Sequence, residues 1–269
     1  MREGCPPVRD AIAFFLADLE MAGKSRTTTA TYRSYLRHFD DWPSEARMRE
    51  LILERHRVNS RTAYAVYTVF ASFFAYCTRQ GWCAENPVRM IPRPKQQAPE
   101  HRYLTRDEVR RVWQACDTDE SRLIVRLLLL GLRARELLAL TAADVHGSEL
   151  RLRVTKGGKP RRLWLDDDTR ALLAGREGKI VASSYDAFRE RIARLGQRAG
   201  LKRLTPHDFR RTFASHAFLA GMNISTVQQL GGWSGTKMPM YYARSALEEA
   251  ALADAERMNL TGKLLGEGG

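Results

Sequence analysis

The chain has 269 residues, 44% of them hydrophobic, which suits two globular domains and excludes a disordered composition. Its 44 Lys and Arg against 31 Asp and Glu leave a net charge of +13, so the expected partner is a polyanion, DNA or RNA before an anionic membrane surface. The four cysteines, Cys5, Cys77, Cys83 and Cys116, form no C-x-x-C pair and have no clustered His, which argues against a zinc site and for free thiols in a reducing compartment.

Helical spacing begins at Val8 and stops at Gly23. A second helix is expected over "SRTTTATYRSYLRHFDDW", capped at Ser25 or a nearby Thr, with Tyr32, Tyr35, Leu36 and Phe39 on one face. "PSEARMRELILERHR" reads as a third helix with Pro43 near its start, and "SRTAYAVYTVFASFFAYCTRQGW" as a fourth, capped by Ser60 and stopped at Gly81. These four make a compact helical domain over residues 1–92. The segment Asn86–Arg102 holds Pro87, Pro92, Pro94 and Pro99, a density that neither a helix nor a central strand tolerates. It supplies the domain boundary, with residues 93–102 as a stiff basic linker.

The second domain opens on "LTRDEVRRVWQAC", where Thr105 and Glu108 form a capping box. A long helix, "SRLIVRLLLLGLRARELLAL", is expected next, with Gly131 placed to interrupt or end its apolar part. Its apolar run, Leu123–Leu132, is interrupted by Arg126 and is too short for the roughly 20 residues of a membrane span. With no apolar signal region in "MREGCPPVRD", the expectation is a soluble intracellular protein. "ELRLRV" and "RRLWL" alternate around "TKGGKP", which predicts a β-hairpin with one apolar and one basic face. Helices are expected over residues 184–200, 205–221 and 225–230. The fold class is mainly α with a small β-hairpin or sheet, a helical domain followed by an α+β domain over residues 103–250 and a tail helix over 251–269.

Four stretches carry residues fit for chemistry. In "LTPHDFRRTFASH", Thr205 caps a helix, Pro206 takes its first position, and His207 and Arg210 fall on one face. A helix start attracts phosphate and disfavours an imidazolium, so His207 can be a neutral proton acceptor; a solvated His and a surface Arg on an ordinary capped helix are the alternative. In "GLRARELLAL", Arg133 has Glu136 as an ion-pair partner or a phosphate as a ligand, and both stay open. In "VTKGGKPRR", Lys156 sits beside a glycine pair and can reach a substrate, as a solvated turn lysine also would. "LGGWSG" carries Trp233, and Tyr242 follows nine residues later, next to Tyr241. Cations for the non-bridging oxygens, a proton donor and a nucleophile are what phosphodiester transfer needs. No carboxylate pair has recognisable two-metal spacing.

In that order and spacing these boxes resemble the tyrosine recombinases, or phage-type integrases, over nearly the whole chain. The resemblance implies that Arg133, His207 and Arg210 stabilise the scissile phosphate. Lys156, with Lys159 as the weaker candidate, would be general acid to the 5′ oxygen, and Trp233 would support the site. Tyr242 would be the nucleophile that leaves a 3′-phosphotyrosyl link. Tyr241 would pack or orient, and Arg211 would stay outside the chemistry. It implies a helical core-binding domain that clamps duplex DNA together with the catalytic domain, and no metal, ATP or cofactor. It further implies a homotetramer on DNA, formed from a monomer in solution, and a tail helix exchanged between protomers, with packing on its own domain as the alternative. The length before the catalytic domain favours the Xer-like branch over integrases that bind arm sites. Two departures stand out. Ser234–Gly235 replaces the commoner Ser-Ser or Ser-Asn, and Pro239 lies three residues before Tyr242, where it either breaks the helix or forms its first turn. A strand-swivelling topoisomerase, an inactive DNA-binding relative and an RNA-binding protein are the competing readings.

Overall fold

The computed structural model describes residues 4–95, 102–153 and 160–266, and the side chains of all of these except 243–250, 253–254, 260 and 262–263. The chain divides into two compact units, Met1–Pro99 and Glu100–Gly269. Among the described residues no helix is long and apolar enough to cross a membrane.

The first unit is built from α1 (Val8–Met21), α2 (Arg26–Leu36), α3 (Glu45–Val58) and α4 (Ser60–Arg79). Side-chain caps at Ser25, Ser44 and Asn59 accept the orphan amides of the first turns. Pro43 lies just before α3, as expected, with Ser44 as its cap, and one expected cap moves: Asn59 rather than Ser60 caps α4, its side-chain oxygen accepting the N–H of Arg61 and leaving Ser60 as the first helical residue. Helix α2 ends at Leu36, so Phe39 reaches the core from the following turn; it packs on Phe70 with ring centroids 4.7 Å apart. Phe15, Phe70, Phe73, Phe74 and Met48 fill the centre. The proline-rich stretch is not linker from its start. Asn86 caps a 3-10 turn at Pro87–Met90, and Val88 and Ile91 bury themselves in the same core. Residues 96–101 of the expected linker lie outside the described residues.

The second unit runs α5 (Arg106–Gln114), α6 (Asp119–Leu129), α7 (Ala134–Ala139), β1 (Val145–His146), β2 (Glu149–Leu152), β3 (Arg161–Trp164), α8 (Asp167–Leu173), α9 (Tyr185–Arg198), α10 (Pro206–Leu219), α11 (Ile224–Gly231), α12 (Lys237–Met258) and α13 (Leu260–Leu265). Thr105 and Glu108 make the expected capping box. The strands form an antiparallel sheet in the order β1-β2-β3, with Leu150 opposite Leu163 and Leu152 opposite Arg161. Leu150, Leu152, Leu163 and Leu165 face the core made by Leu123, Leu127, Leu128, Leu132, Phe188 and Phe209. The hairpin turn 154–159, with Lys156 and Lys159, lies outside the described residues.

The expected alternation places Arg161 on the apolar face beside Leu163, and there it is buried. Arg126, which interrupts the apolar run, turns outward to hold Asp166 at 2.9 Å and Asp168 at 2.5 Å. The long helix expected over residues 121–140 is interrupted at Gly131 and becomes two, α6 and α7. Gly131 takes φ +84° between α6 and α7, and a Cβ there would meet the Phe213 ring at 2.6 Å. Gly131→Ala is therefore expected to cost about 1–3 kcal/mol, from left-handed strain plus the clash. Calorimetry of the full chain checks this as a fall of the second unit's Tm by roughly 2–4 °C per kcal/mol; an unchanged Tm would contradict it.

Helix α12 begins with Lys237, Met238 and Pro239, so the proline falls in the first turn, where a missing N–H breaks no bond. It is buried there. The helix continues without a break past residue 250 to Met258 and ends where Asn259 turns left-handed at φ 39°. The expected tail helix is thus the second half of α12 followed by α13.

Candidate active site

Three segments of the second unit converge: the break between α6 and α7, the first turn of α10, and the turn from α11 into α12. The first positions Arg133, which precedes α7. Its backbone N–H donates to Glu136 Oε2 at 2.8 Å, its Nη1 to Glu136 Oε1 at 2.6 Å, and its Nη2 to the Gly232 carbonyl at 3.0 Å. The side chain is still 30% exposed, so the ion pair does not close it off from a ligand.

At α10, Asp208 accepts from the Thr205 N–H at 2.8 Å and the Thr205 hydroxyl at 2.7 Å, which fixes the first turn. Arg210, one turn on, is buried. It donates through Nη1 to the Gly131 carbonyl and through Nη2 to the Gly231 carbonyl at 2.6 Å, and its guanidinium carbon lies 3.9 Å from the centroid of Trp233. Burial first, then the neighbouring Arg133, draws its pKa down to about 9, so it remains a cation at neutral pH.

Helix α11 ends in Gly231 and Gly232. The Trp233 ring folds back over Gly231 so closely that a Cβ there would stand 1.8 Å from Cζ3. Trp233 stacks against Phe213, 6.4 Å between centroids, and supports Arg210 on its other contact. It serves as a platform, and α12 then brings Tyr242 to the same place: its ring is 6.0 Å from Trp233, and its carbonyl accepts the Ser215 hydroxyl at 2.9 Å.

Tyr242 Oη lies 3.0 Å from His207 Nε2. The rings meet edge to face, 5.5 Å apart. His207 has its pKa pulled down to about 4, by burial first and then by Arg211 and Arg210. Its exposed edge lets water temper the burial, but the arginine charges act in the same direction. Burial raises the Tyr242 pKa, against the pull of Arg210, Arg211 and Arg133. At pH 7 the pair is therefore a neutral imidazole facing a protonated phenol. In the Nδ1–H tautomer the phenol donates to Nε2, which is the arrangement that proton acceptance requires.

Sign and window follow directly. A depressed His pKa means that proton acceptance is lost only as the pH falls toward about 4, rather than through the ordinary 6.5. NMR titration of the ring protons in the free protein, assigned with His207→Asn, is expected to show that low midpoint. A midpoint at or above 6.5 would overturn it.

The structure brings together Arg133, His207, Arg210, Trp233 and Tyr242 of the residues expected from sequence. Tyr241 is half-buried beside Tyr242, with centroids 6.1 Å apart. Arg211 pairs with Asp208 at 3.5 Å, and its guanidinium sits 6.0 Å from the Tyr242 ring. Sequence reasoning missed Arg161 and Ser215. The strand parity of Arg161 was the available signal; nothing local marks Ser215.

A cationic cleft with a tyrosine on a helix, on this mixed fold, defines the tyrosine recombinase class. Comparison with known proteins agrees. A profile of the phage integrase family matches residues 102–249. The tyrosine recombinase XerA of Saccharolobus solfataricus is 30% identical over 272 residues, covering 91% of this chain and 92% of that protein. The integrase of Escherichia phage 186 is 29% identical, covering 75% of this chain and 61% of that protein. Among solved structures, a lambda integrase fragment bound as a dimer to a core site superposes with TM-score 0.74 at 17% identity, covering 87% of this chain and 97% of that one. The chain belongs to the phage integrase family and is a site-specific tyrosine recombinase.

Proposed function

We propose that Tyr242 is the nucleophile of this recombinase and that Arg133, Arg210, His207 and Lys156 carry the rest of the chemistry on duplex DNA. Tyr242 Oη attacks the scissile phosphorus as its proton passes to His207 Nε2. The P–O5′ bond breaks, and the leaving oxygen takes a proton from Lys156. Arg133 and Arg210 hold the non-bridging oxygens, whose charge grows in the transition state. A second strand's 5′ hydroxyl then attacks the 3′-phosphotyrosine, reversing each transfer. One phosphodiester is exchanged for another, so the step needs no external energy source. The observation that carries this reading is the Tyr242–His207 contact of 3.0 Å, beside a guanidinium seated on Trp233.

The helical unit is proposed as a second DNA-binding element and residues 93–102 as the linker. The working assembly is proposed as a tetramer on DNA, as one lambda integrase structure is a tetramer on a Holliday junction. The tail is proposed to be exchanged between protomers, and the site of action is the cytoplasm. The net charge of +13 supports phosphate-driven affinity with strong salt dependence.

The test is a covalent trap. The protein is mixed in EDTA with a library of randomised duplexes carrying a nick, so that the short strand released by cleavage diffuses away. Denaturing gels isolate the adduct, and sequencing names the site. A phosphotyrosyl adduct mapping to Tyr242 is the expected result. No adduct on duplexes that the protein demonstrably binds would refute the enzyme reading.

A further inference from the structure

Arg161 opens β3 and, with Leu163, faces the core; its side chain is 2% exposed. A guanidinium buried so deeply needs its donors used. Nη1 donates to Glu136 Oε1 at 3.1 Å, Nη2 to Glu136 Oε2 at 2.8 Å, and Nε to the Leu230 carbonyl at 2.6 Å. Glu136 is the carboxylate that also holds Arg133. Two arginines therefore share one anion, and both reach the end of α11: Arg161 at the Leu230 carbonyl, Arg133 at the Gly232 carbonyl. The space is tight. Gly232 sits at φ +64°, and a Cβ there would stand 2.6 Å from Arg161 Nη1.

We propose that Arg161 is a positioning residue for the recombination reaction: by pairing both oxygens of Glu136 and tying down the end of α11, it leaves the Arg133 charge available to the scissile phosphate. The balance of charge carries the argument. Glu136 holds one negative charge, and burial alone would raise its pKa, yet the bonds from Arg161 and Arg133 keep it at about 2. With Arg161 present, the triad has a net positive charge, and the exposed member, Arg133, presents it. Without Arg161, Glu136 and Arg133 form a closed pair, and the phosphate loses a cation.

This inference rests on the recombinase reading, and its test separates the two. Single-turnover cleavage and DNA affinity are measured on the trapping duplex for the parent, Arg161→Met, Arg133→Ala and the double variant. Arg161→Met is expected to slow cleavage by about 100-fold, with DNA affinity within about threefold. In the Arg133→Ala background the same substitution is expected to cost less than about threefold, because groups acting as a unit are not additive. Should Arg161→Met fail to fold, Arg161→Met/Glu136→Gln is measured instead; it removes the carboxylate together with its partner, so no anion is left to close on Arg133, and cleavage within about tenfold of the parent is expected, whereas a loss as large as about 100-fold would overturn the proposal. A loss of equal size in both backgrounds means a general structural role and overturns the proposal, as does cleavage at the parent rate. Failure of the parent itself to form adduct overturns the recombinase reading, and this proposal with it.

Discussion

Tyr242→Phe is expected to abolish covalent capture of DNA, with cleavage falling by at least about 10⁴-fold, as when the nucleophile of a covalent mechanism is removed. DNA affinity should stay within about threefold, since phosphate contacts spread over a basic surface supply it. Tyr241→Phe should form adduct normally. The discrimination is geometric. Adjacent helix positions point about 100° apart, so only one of two neighbouring tyrosines can face the arginines. Tyr242 does: its hydroxyl meets His207 at 3.0 Å, and its ring lies against Trp233. Loss of adduct with Tyr241→Phe alone would mean that α12 turns by one residue in the complex. The raised Tyr242 pKa adds a second expectation, that the resting phenol stays protonated at neutral pH. In the proposed mechanism, attack awaits the phosphate, whose negative charge stabilises the imidazolium and so makes His207 a better proton acceptor. The resting enzyme is thereby protected from a standing tyrosinate.

Much of this site was legible because its parts are local. His207 and Arg210 lie one helical turn apart, and Thr205 and Pro206 announce the helix start, so their shared face follows from the 3.6-residue repeat. The step from Trp233 to Tyr242 spans a single turn and the start of α12. Pro239 illustrates the limit. The sequence left it between breaking the helix and opening it, and only the placement of Lys237 as the first helical residue decides. Arg161 was passed over for a physical reason: an Arg in an alternating strand is normally a solvated residue, and its exception depends on Glu136, 25 positions away. An interruption at Gly131 was legible, though not the left-handed backbone set by tertiary packing that makes it, whereas the two-residue strand β1 was hidden because it depends on pairing with β2. Ser60 was displaced as the cap of α4 by Asn59, one residue earlier, whose geometry propensity alone does not rank.

Arg210 should be the residue least tolerant of a conservative change. Arg210→Ala is expected to lose about 10³–10⁵-fold in cleavage, the range for a guanidinium that neutralises a phosphoryl transition state. Arg210→Lys keeps a nominal charge but loses the fork. A single ammonium cannot serve the Gly131 and Gly231 carbonyls while lying flat on Trp233. The deeper reason is electrostatic. Burial and Arg133 bring the Arg210 guanidinium down from its ordinary value to about 9, which leaves it charged at neutral pH. A lysine starts near ~10.4 and would be drawn by the same surroundings into the neutral range. The variant should thus be partly uncharged at pH 8. Since an amine gains its proton as pH falls, the ratio of variant to parent cleavage rates should rise steadily from pH 9 toward pH 6. A ratio that is low and independent of pH would place the whole defect in lost geometry. A rising ratio would show that the site needs the charge as well as the shape, and that a guanidinium is used because it alone stays protonated among two other arginines.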